Sequence, residues 1–308
     1  MDDQPSAVGQ GLLAIGDQWT LLIIQRALLK RIRRFAEWRD GIGVSESVLT
    51  QRIKEMVAGD LLRPHPYRDG GRTRTEYLAT ARAVELWPML VAIWSWERTW
   101  VAHRTPLPEL VHKVCGRHTE VDLGCARCRA HPVTFGETRI RSGDATFAQV
   151  TAPRLHRRTV RTNTRADPAS YFPETMEILA DRWSTVVLAA AFLGIQRFAD
   201  FRSALGISPS LLSNRLQRFT ELDVLAPIPV PGTARRGYSL TPKGQAFFGA
   251  FAFLVDWAQH WYSGPPGTDL TIVHGHCGQP FAPRLYCRGC GEGIEGRDIC
   301  FELADEAP

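Results

Sequence analysis

A chain of 308 residues, 44% hydrophobic and 22% charged, has the composition of an ordinary globular protein with room for two or three domains. Its longest apolar run, 247–255, is too short to cross a bilayer, and the start Met-Asp-Asp-Gln-Pro has no basic region leading into an apolar one, so a cytoplasmic protein without membrane partners is expected. A net charge of +5 permits nucleic-acid binding without requiring it. No glycine-rich nucleotide loop, activated nucleophile or paired-carboxylate motif stands out to argue for an enzyme.

In chain order, Asp17 is placed to cap a helix carrying Trp19, Leu22, Ile23 and Leu29. A short helix follows around 35–38, and Gly41 offers a tight turn into a helix capped by Ser45. On that helix Leu49, Ile53 and Met56 fall on one face, which leaves Ser47, Thr50, Gln51 and Lys54 pointing outward. A solvated helix has the same look, but these side chains also have the chemistry that reads base edges in a major groove. The segment 63–77, with Asp69-Gly70-Gly71 at its centre and four arginines along it, reads as a β-hairpin behind that helix, which is a wing. A long apolar helix, 81–100, closes the unit with a kink expected near Pro88.

All of this returns. Asp17 and Trp19 recur as Asp181 and Trp183, 164 positions on; Arg34 and Phe35 as Arg197 and Phe198, at 163; Trp96 and Trp100 as Trp257 and Trp261, at 161. An offset that drifts by three residues over a whole unit marks a tandem duplication. In the second copy Gly206 takes the turn, Ser208 the cap, and Ser210, Ser213, Asn214 and Gln217 the outward face, while the prolines of 227–231 are expected to discourage a regular wing ladder. The terminal helices, 81–100 and 243–261, are apolar on more than one face, which suits core packing, packing of copy against copy, or both.

Behind each copy stands one constellation: His112-x2-Cys115-x9-Cys125-x2-Cys128, then His274-x2-Cys277-x9-Cys287-x2-Cys290. Four soft or borderline donors in two close pairs suit a closed tetrahedral Zn2+ site, one within each copy. His118, His131 and His276 are spare donors, and Cys300 has no counterpart. The residues 132–167 read as a basic, partly ordered linker, with Arg139, Arg141, Arg154, Arg157, Arg158, Arg161 and Arg165 outnumbering the acids.

The combination Asp-x-Trp, Arg-Phe, Ser-x3-Leu-x2-Arg, Tyr-x2-Thr and Trp-x3-Trp resembles the HxlR family of bacterial winged-helix transcription regulators. It is carried by Asp17/Trp19, Arg34/Phe35, Ser45/Leu49/Arg52, Tyr77/Thr80 and Trp96/Trp100. The second set is Asp181/Trp183, Arg197/Phe198, Ser208/Leu212/Arg215, Tyr238/Thr241 and Trp257/Trp261. The resemblance implies a double-stranded DNA-binding regulator of a kind that usually works as a homodimer on two half-sites; two copies in one chain point instead to a monomer acting as a pseudo-dimer, with a homodimer of chains as the alternative. Relatives that sense electrophiles do so through a cysteine near the domain's N-terminus, which neither copy has, so any small-molecule effector stays unidentified. Similar family tails end in Cys-x2-Cys-Gly; Arg129 replaces that glycine in the first copy, making the second the closer match.

The expected architecture is mainly α with small β-wings: tandem winged helix-turn-helix domains, each followed by a short zinc-binding segment. The divisions are 1–104 (winged helix), 105–131 (His/Cys segment), 132–167 (linker), 168–263 (winged helix) and 264–308 (His/Cys tail). The expected DNA-facing residues are Ser47, Thr50, Gln51, Arg52, Lys54, Arg72 and Arg74 in the first copy. In the second they are Ser210, Ser213, Asn214, Arg215, Gln217, Arg235 and Arg236. Two other readings remain at this stage: a zinc-containing interaction protein with degenerate DNA-binding halves, and a Cys-x2-Cys redox protein, which the lack of any βαβ pattern disfavours.

Overall fold

The computed structural model describes residues 4–103, 106–143, 172–179, 182–230 and 236–302. In the first half α1 (Ala7–Ile15) leads into α2 (Gln18–Leu29), whose start is fixed by Asp17: its Oδ1 accepts from the amides of Trp19 at 3.1 Å and Thr20 at 3.2 Å. Helix α3 (Phe35–Ile42) ends at Gly43, which holds φ 71° as the left-handed cap. The turn glycine is thus Gly43 and not Gly41; Gly41 lies inside α3, where a Cβ would come within 2.6 Å of the buried Arg26 guanidinium. Helix α4 (Glu46–Ala58) follows, capped by Ser45 and seated by buried Leu49, Ile53 and Met56. Strands β1 (Leu62–Asp69) and β2 (Arg72–Ala79) form the wing, in register from Leu62 opposite Ala79 to Asp69 opposite Arg72.

The expected kinked helix is two helices, α5 (Ala81–Val84) and α6 (Trp87–Trp100), with Pro88 in the first turn of the second, where its missing N–H costs nothing. The first tail supplies β3 (Glu109–His112), β4 (Arg117–His118), β5 (Val121–Cys125) and β6 (Thr138–Ser142). The second half repeats the order: α7 (Pro173–Leu179), α8 (Arg182–Phe192), α9 (Phe198–Leu205), α10 (Pro209–Glu221), β7 (Leu225–Pro229), β8 (Arg236–Leu240), α11 (Pro242–Ala246) and α12 (Phe248–Trp261). The break between α11 and α12 occurs with Gly249 at the position of Pro88, so that proline is not what divides the terminal helices. Among the described residues the second wing pairs at five positions, so its prolines do not abolish the ladder. Asp181, the expected cap of α8, lies outside the described residues.

The halves interlock. Helix α6 packs on α12, α1 on α12, and α7 on α6. Trp96 Nε1 donates to the carbonyl of Lys243 at 2.9 Å, and its repeat mate Trp257 donates to the carbonyl of Arg82, the repeat mate of Lys243, at 2.8 Å. Of the two arrangements left open for the Trp-rich helices, both hold: they are core within each half and interface between halves.

The tails are exchanged as well. In the second tail β9 (Leu270–His274), β10 (Pro283–Cys287) and β11 (Ile299–Glu302) complete the fold. Strand β5 pairs with β10, β3 with β11, and β6 with β9, all antiparallel and all between halves. Residues 132–143 therefore belong to the tail fold rather than to a linker: Arg139 and Arg141 sit on β6, and the other linker arginines lie outside the described residues. Among the described residues no single helix is long and apolar enough to cross a membrane; α1 and α2 reach that length together but turn by 80° between them.

Candidate nucleic-acid interface and metal centre

Helix α4 buries one face against α2, and that packing leaves Ser47, Thr50, Gln51 and Lys54 exposed along its opposite side. Gln51 Nε2 donates to Glu55 Oε1 at 2.8 Å, one turn on, so its amide is aligned along the helix rather than free to wander. Arg52 is placed differently. Its side chain is 12% exposed, with Nε 3.3 Å from Asp17 Oδ1 and Nη1 2.6 Å from Glu55 Oε2. The arginine ties α4 to the cap of α2, and contact with a base would require it to leave one or both carboxylates. Arg52 is one of the expected DNA-facing residues, and the carboxylate of Asp17 that engages it lies 35 positions away in the chain.

On α10 Ser210, Ser213, Asn214 and Gln217 are exposed, whereas Arg215 is half-buried with Nη1 3.2 Å from Asn214 Oδ1. Arg72 and Arg74 are exposed on the first wing, Arg74 beside Asp69 at 3.2 Å, and Arg236 is exposed on the second. Arg235 lies outside the described residues.

The cysteines and histidines gather into two groups, and the grouping differs from the expected one. His112 and Cys115 meet Cys287 and Cys290 of the far tail; Cys125 and Cys128 meet His274 and Cys277. All eight expected ligands are used, but the set His112, Cys115, Cys125, Cys128 does not assemble, because β3 and β5 of one tail pair with different strands of the other. His112 Nδ1 lies 3.4 Å from the sulfurs of both Cys115 and Cys290, and Cys115 Sγ lies 3.9 Å from Cys287 Sγ. His274 Nδ1 is likewise 3.4 Å from Cys128 and Cys277. A tetrahedron with Zn–S bonds of ~2.3 Å and a Zn–N bond of ~2.1 Å has edges of roughly 3.5–3.8 Å, so the donors fit such an ion.

The local chain makes these corners. Gly116, Gly278 and Gly291 adopt positive φ just after a ligand, and Arg129 does the same with φ 63° at the position of Gly291, so the first tail keeps the turn without the glycine. Burial pushes the Cys287 thiol up, but the Thr119 hydroxyl and the amides of Cys290 and Gly289 outweigh it and bring the value down to about 7. Cys125 is lowered against its own burial by the amides of Cys128, Ala282 and Arg127. Thiolates favoured in this way are ready metal ligands. Two of the three spare histidines are engaged elsewhere, His131 stacked on Tyr286 at 4.3 Å and His118 3.5 Å from Glu302, while the His276 ring lies 5.9 Å from that of His274.

One group of residues had no part in the sequence reading. Glu97, fully buried on α6, accepts from the amide of Thr175 at 2.8 Å and from its hydroxyl at 2.6 Å, and His103 Nε2 stands 3.1 Å from the other oxygen. The only signal was an acidic residue directly after Trp94-Ser-Trp96, on the mostly apolar face of the helix that also carries Met89, Leu90 and Ile93. Burial raises the Glu97 carboxyl above its ordinary value, with Thr175 and His103 opposing. A carboxyl that holds its proton more tightly folded than unfolded favours the fold below the ordinary glutamate range and loses that contribution as pH climbs through the raised value. Glu97→Gln, which keeps an acceptor for Thr175 and cannot ionise, should therefore flatten the fall in stability as pH rises above the ordinary glutamate range. Urea unfolding of both proteins over that rise in pH checks this; parallel profiles would contradict it.

The HxlR-like helix-turn-helix family profile matches residues 14–105 and matches again over 178–265. The chain belongs to that family. Over 125 residues it is 34% identical to the uncharacterized HTH-type transcriptional regulator MT3179 of Mycobacterium tuberculosis (strain CDC 1551 / Oshkosh), covering 40% of this chain and 79% of the relative. It is 33% identical over 92 residues to the uncharacterized HTH-type transcriptional regulator YvaP of Bacillus subtilis (strain 168), covering 29% and 85%. Among solved structures it is similar to PA1607, a candidate transcription factor, at 30% identity over 40% of this chain and 87% of that one, with a TM-score of 0.35. The HxlR match covers each winged helix once and leaves the exchanged tails outside it.

Proposed function

We propose that this tandem HxlR-family regulator works as a single-chain pseudo-dimer that reads an imperfectly palindromic operator, with two structural Zn2+ ions cross-tying its halves. The observation that carries the reading is reciprocity: two recognition helices with exposed polar faces stand on halves that exchange terminal helices and tail strands, the arrangement a two-fold dimer achieves with separate chains. The three-cysteine, one-histidine donor sets leave no open position, which supports structural rather than catalytic metal, with Cys287 and Cys290 from one half closing the site begun by His112 and Cys115 of the other. Such a regulator would act in the cytoplasm, on double-stranded DNA, and has no use for an enzymatic centre.

Selection of bound sequences from random duplex DNA tests this. The expected product is two related but unequal half-sites with centres about one helical turn, ~34 Å, apart, bound by one chain and weakened as salt rises. Recovery of a single half-site, or a stable dimer of chains on the operator, would overturn the pseudo-dimer. Absence of any salt-dependent duplex binding would favour the interaction-protein reading.

A further inference from the structure

The two halves differ where the far tail meets the base of each wing. In the second half that space is filled by rings: Phe135 packs on Phe192 at 5.3 Å and on Phe248 at 5.6 Å. In the first half the corresponding residues are Gly296, Leu28 and Trp87, and a cavity of about 480 Å³ remains between the end of α2, the wing and the tail. That volume lies within the roughly 300–1,000 Å³ range of small-molecule sites. The floor is apolar, with Leu28, Ile32, Val84 and Trp87; Arg31, Arg33 and Arg63 stand around it, and no carboxylate lines it.

None of the three arginines is inherited by the other half. Tyr77 N–H donates to the carbonyl of Arg33 as Tyr238 N–H does to that of Gln196, so Gln196 is the mate of Arg33. The wing registers make Ala226 the mate of Arg63. Arg31, with φ 53°, occupies the left-handed position that Gly194 holds at φ 83°, a conformation that disfavours any side chain. Three exposed arginines line an apolar recess, one of them at a backbone cost, and among the described residues none forms an ion pair.

We propose that this cavity binds an amphipathic organic anion, a carboxylate on an aromatic or aliphatic body. Arg33 and Arg63 would take the carboxylate, for which a guanidinium fork is suited, and Leu28 and Trp87 would take the body. The site goes beyond DNA recognition and does not depend on it.

Titration of the full zinc-loaded chain with 1-naphthoate, in the absence of DNA, tests the proposal, with neutral 1-naphthamide as control. One saturable site per chain is expected, with the amide at least tenfold weaker. Arg33→Gln with Arg63→Ala, which installs the residues the second half already carries, should weaken naphthoate at least tenfold. Trp87→Phe with Gly296→Phe copies the ring filling of the second half and should abolish binding in a protein whose melting shows it folded. No saturable binding, equal binding of the amide, or indifference to both double variants would overturn the site. So would arginine variants that weaken duplex binding while naphthoate never binds, since the cluster would then serve the DNA backbone.

Discussion

Protein carrying Cys115→Ser together with Cys287→Ser should retain about one zinc ion per chain, whereas Cys115→Ser with Cys125→Ser should retain none. The contrast follows from the exchange of tails: the first pair removes two ligands from one site, the second removes one ligand from each. Ligands grouped within each copy would give the reverse result, so metal analysis of the two double variants decides between the arrangements. The effect on folding should be large. Structural zinc contributes about 10–16 kcal/mol in apparent terms to small zinc modules at neutral pH, and these tails have little core of their own. Each ligand group also brings together segments more than 140 residues apart in the chain, so losing an ion from it should loosen one half from the other as well as unfold a tail. Wild-type protein purified under reducing conditions should carry about two zinc ions, and finding none would sink both expectations.

Gln51→Ala should relax base selectivity in one half of the operator by about 1–3 kcal/mol and leave the other half unchanged, and Asn214→Ala should do the converse. Both side chains are exposed at corresponding turns of α4 and α10, and both amides can pair bidentately with adenine. Asparagine is one methylene shorter and requires closer approach, so the preferred base or its position should differ between half-sites. Gln51 must also give up its bond to Glu55, an exposed contact whose loss costs little. Arg72→Ala or Arg236→Ala on the wings should weaken all sequences more evenly and reduce the salt dependence, as loss of a phosphate contact does. Binding series on operators mutated one half at a time make the measurement. Equal loss of selectivity in both halves from either helix variant would contradict a two-reader protein.

The winged helices were legible because their signals are local. Asp17 and Ser45 cap their helices as expected, Ser208 holds the N-cap position of α10 without a side-chain bond to it, and Leu49, Ile53 and Met56 are buried as their spacing requires. The metal ligands were legible as a set and illegible as a partition, for a physical reason: two tails with the same His-x2-Cys and Cys-x2-Cys spacing satisfy that spacing equally well within or between copies. Only strand pairing chooses, and Thr138–Ser142, read as basic linker for its Arg139 and Arg141, is one of the strands that choose. The ion pairing of Arg52 was illegible for a related reason, since it depends on a distant Asp17 that no periodicity announces.

The contacts at the crossing helices also decide which halves can associate at all. Gly11 on α1 is pressed so closely on Ala258 that a Cβ there would come within 2.7 Å of the alanine methyl, while the equivalent crossing sets Thr175 against Glu97. Two first halves brought together would oppose Gly11 to Glu97 and leave a buried carboxylate without its donors. Two second halves would drive Thr175 into Ala258, where there is no room for it. The tails repeat the lesson, with Phe135 against Phe248 and Gly296 against Trp87: like paired with like would crowd two large rings in one case and leave a void in the other. Duplication supplied two self-complementary surfaces, and divergence has made each a fit for the other and a misfit for itself, so neighbouring copies of the chain are discouraged from trading halves.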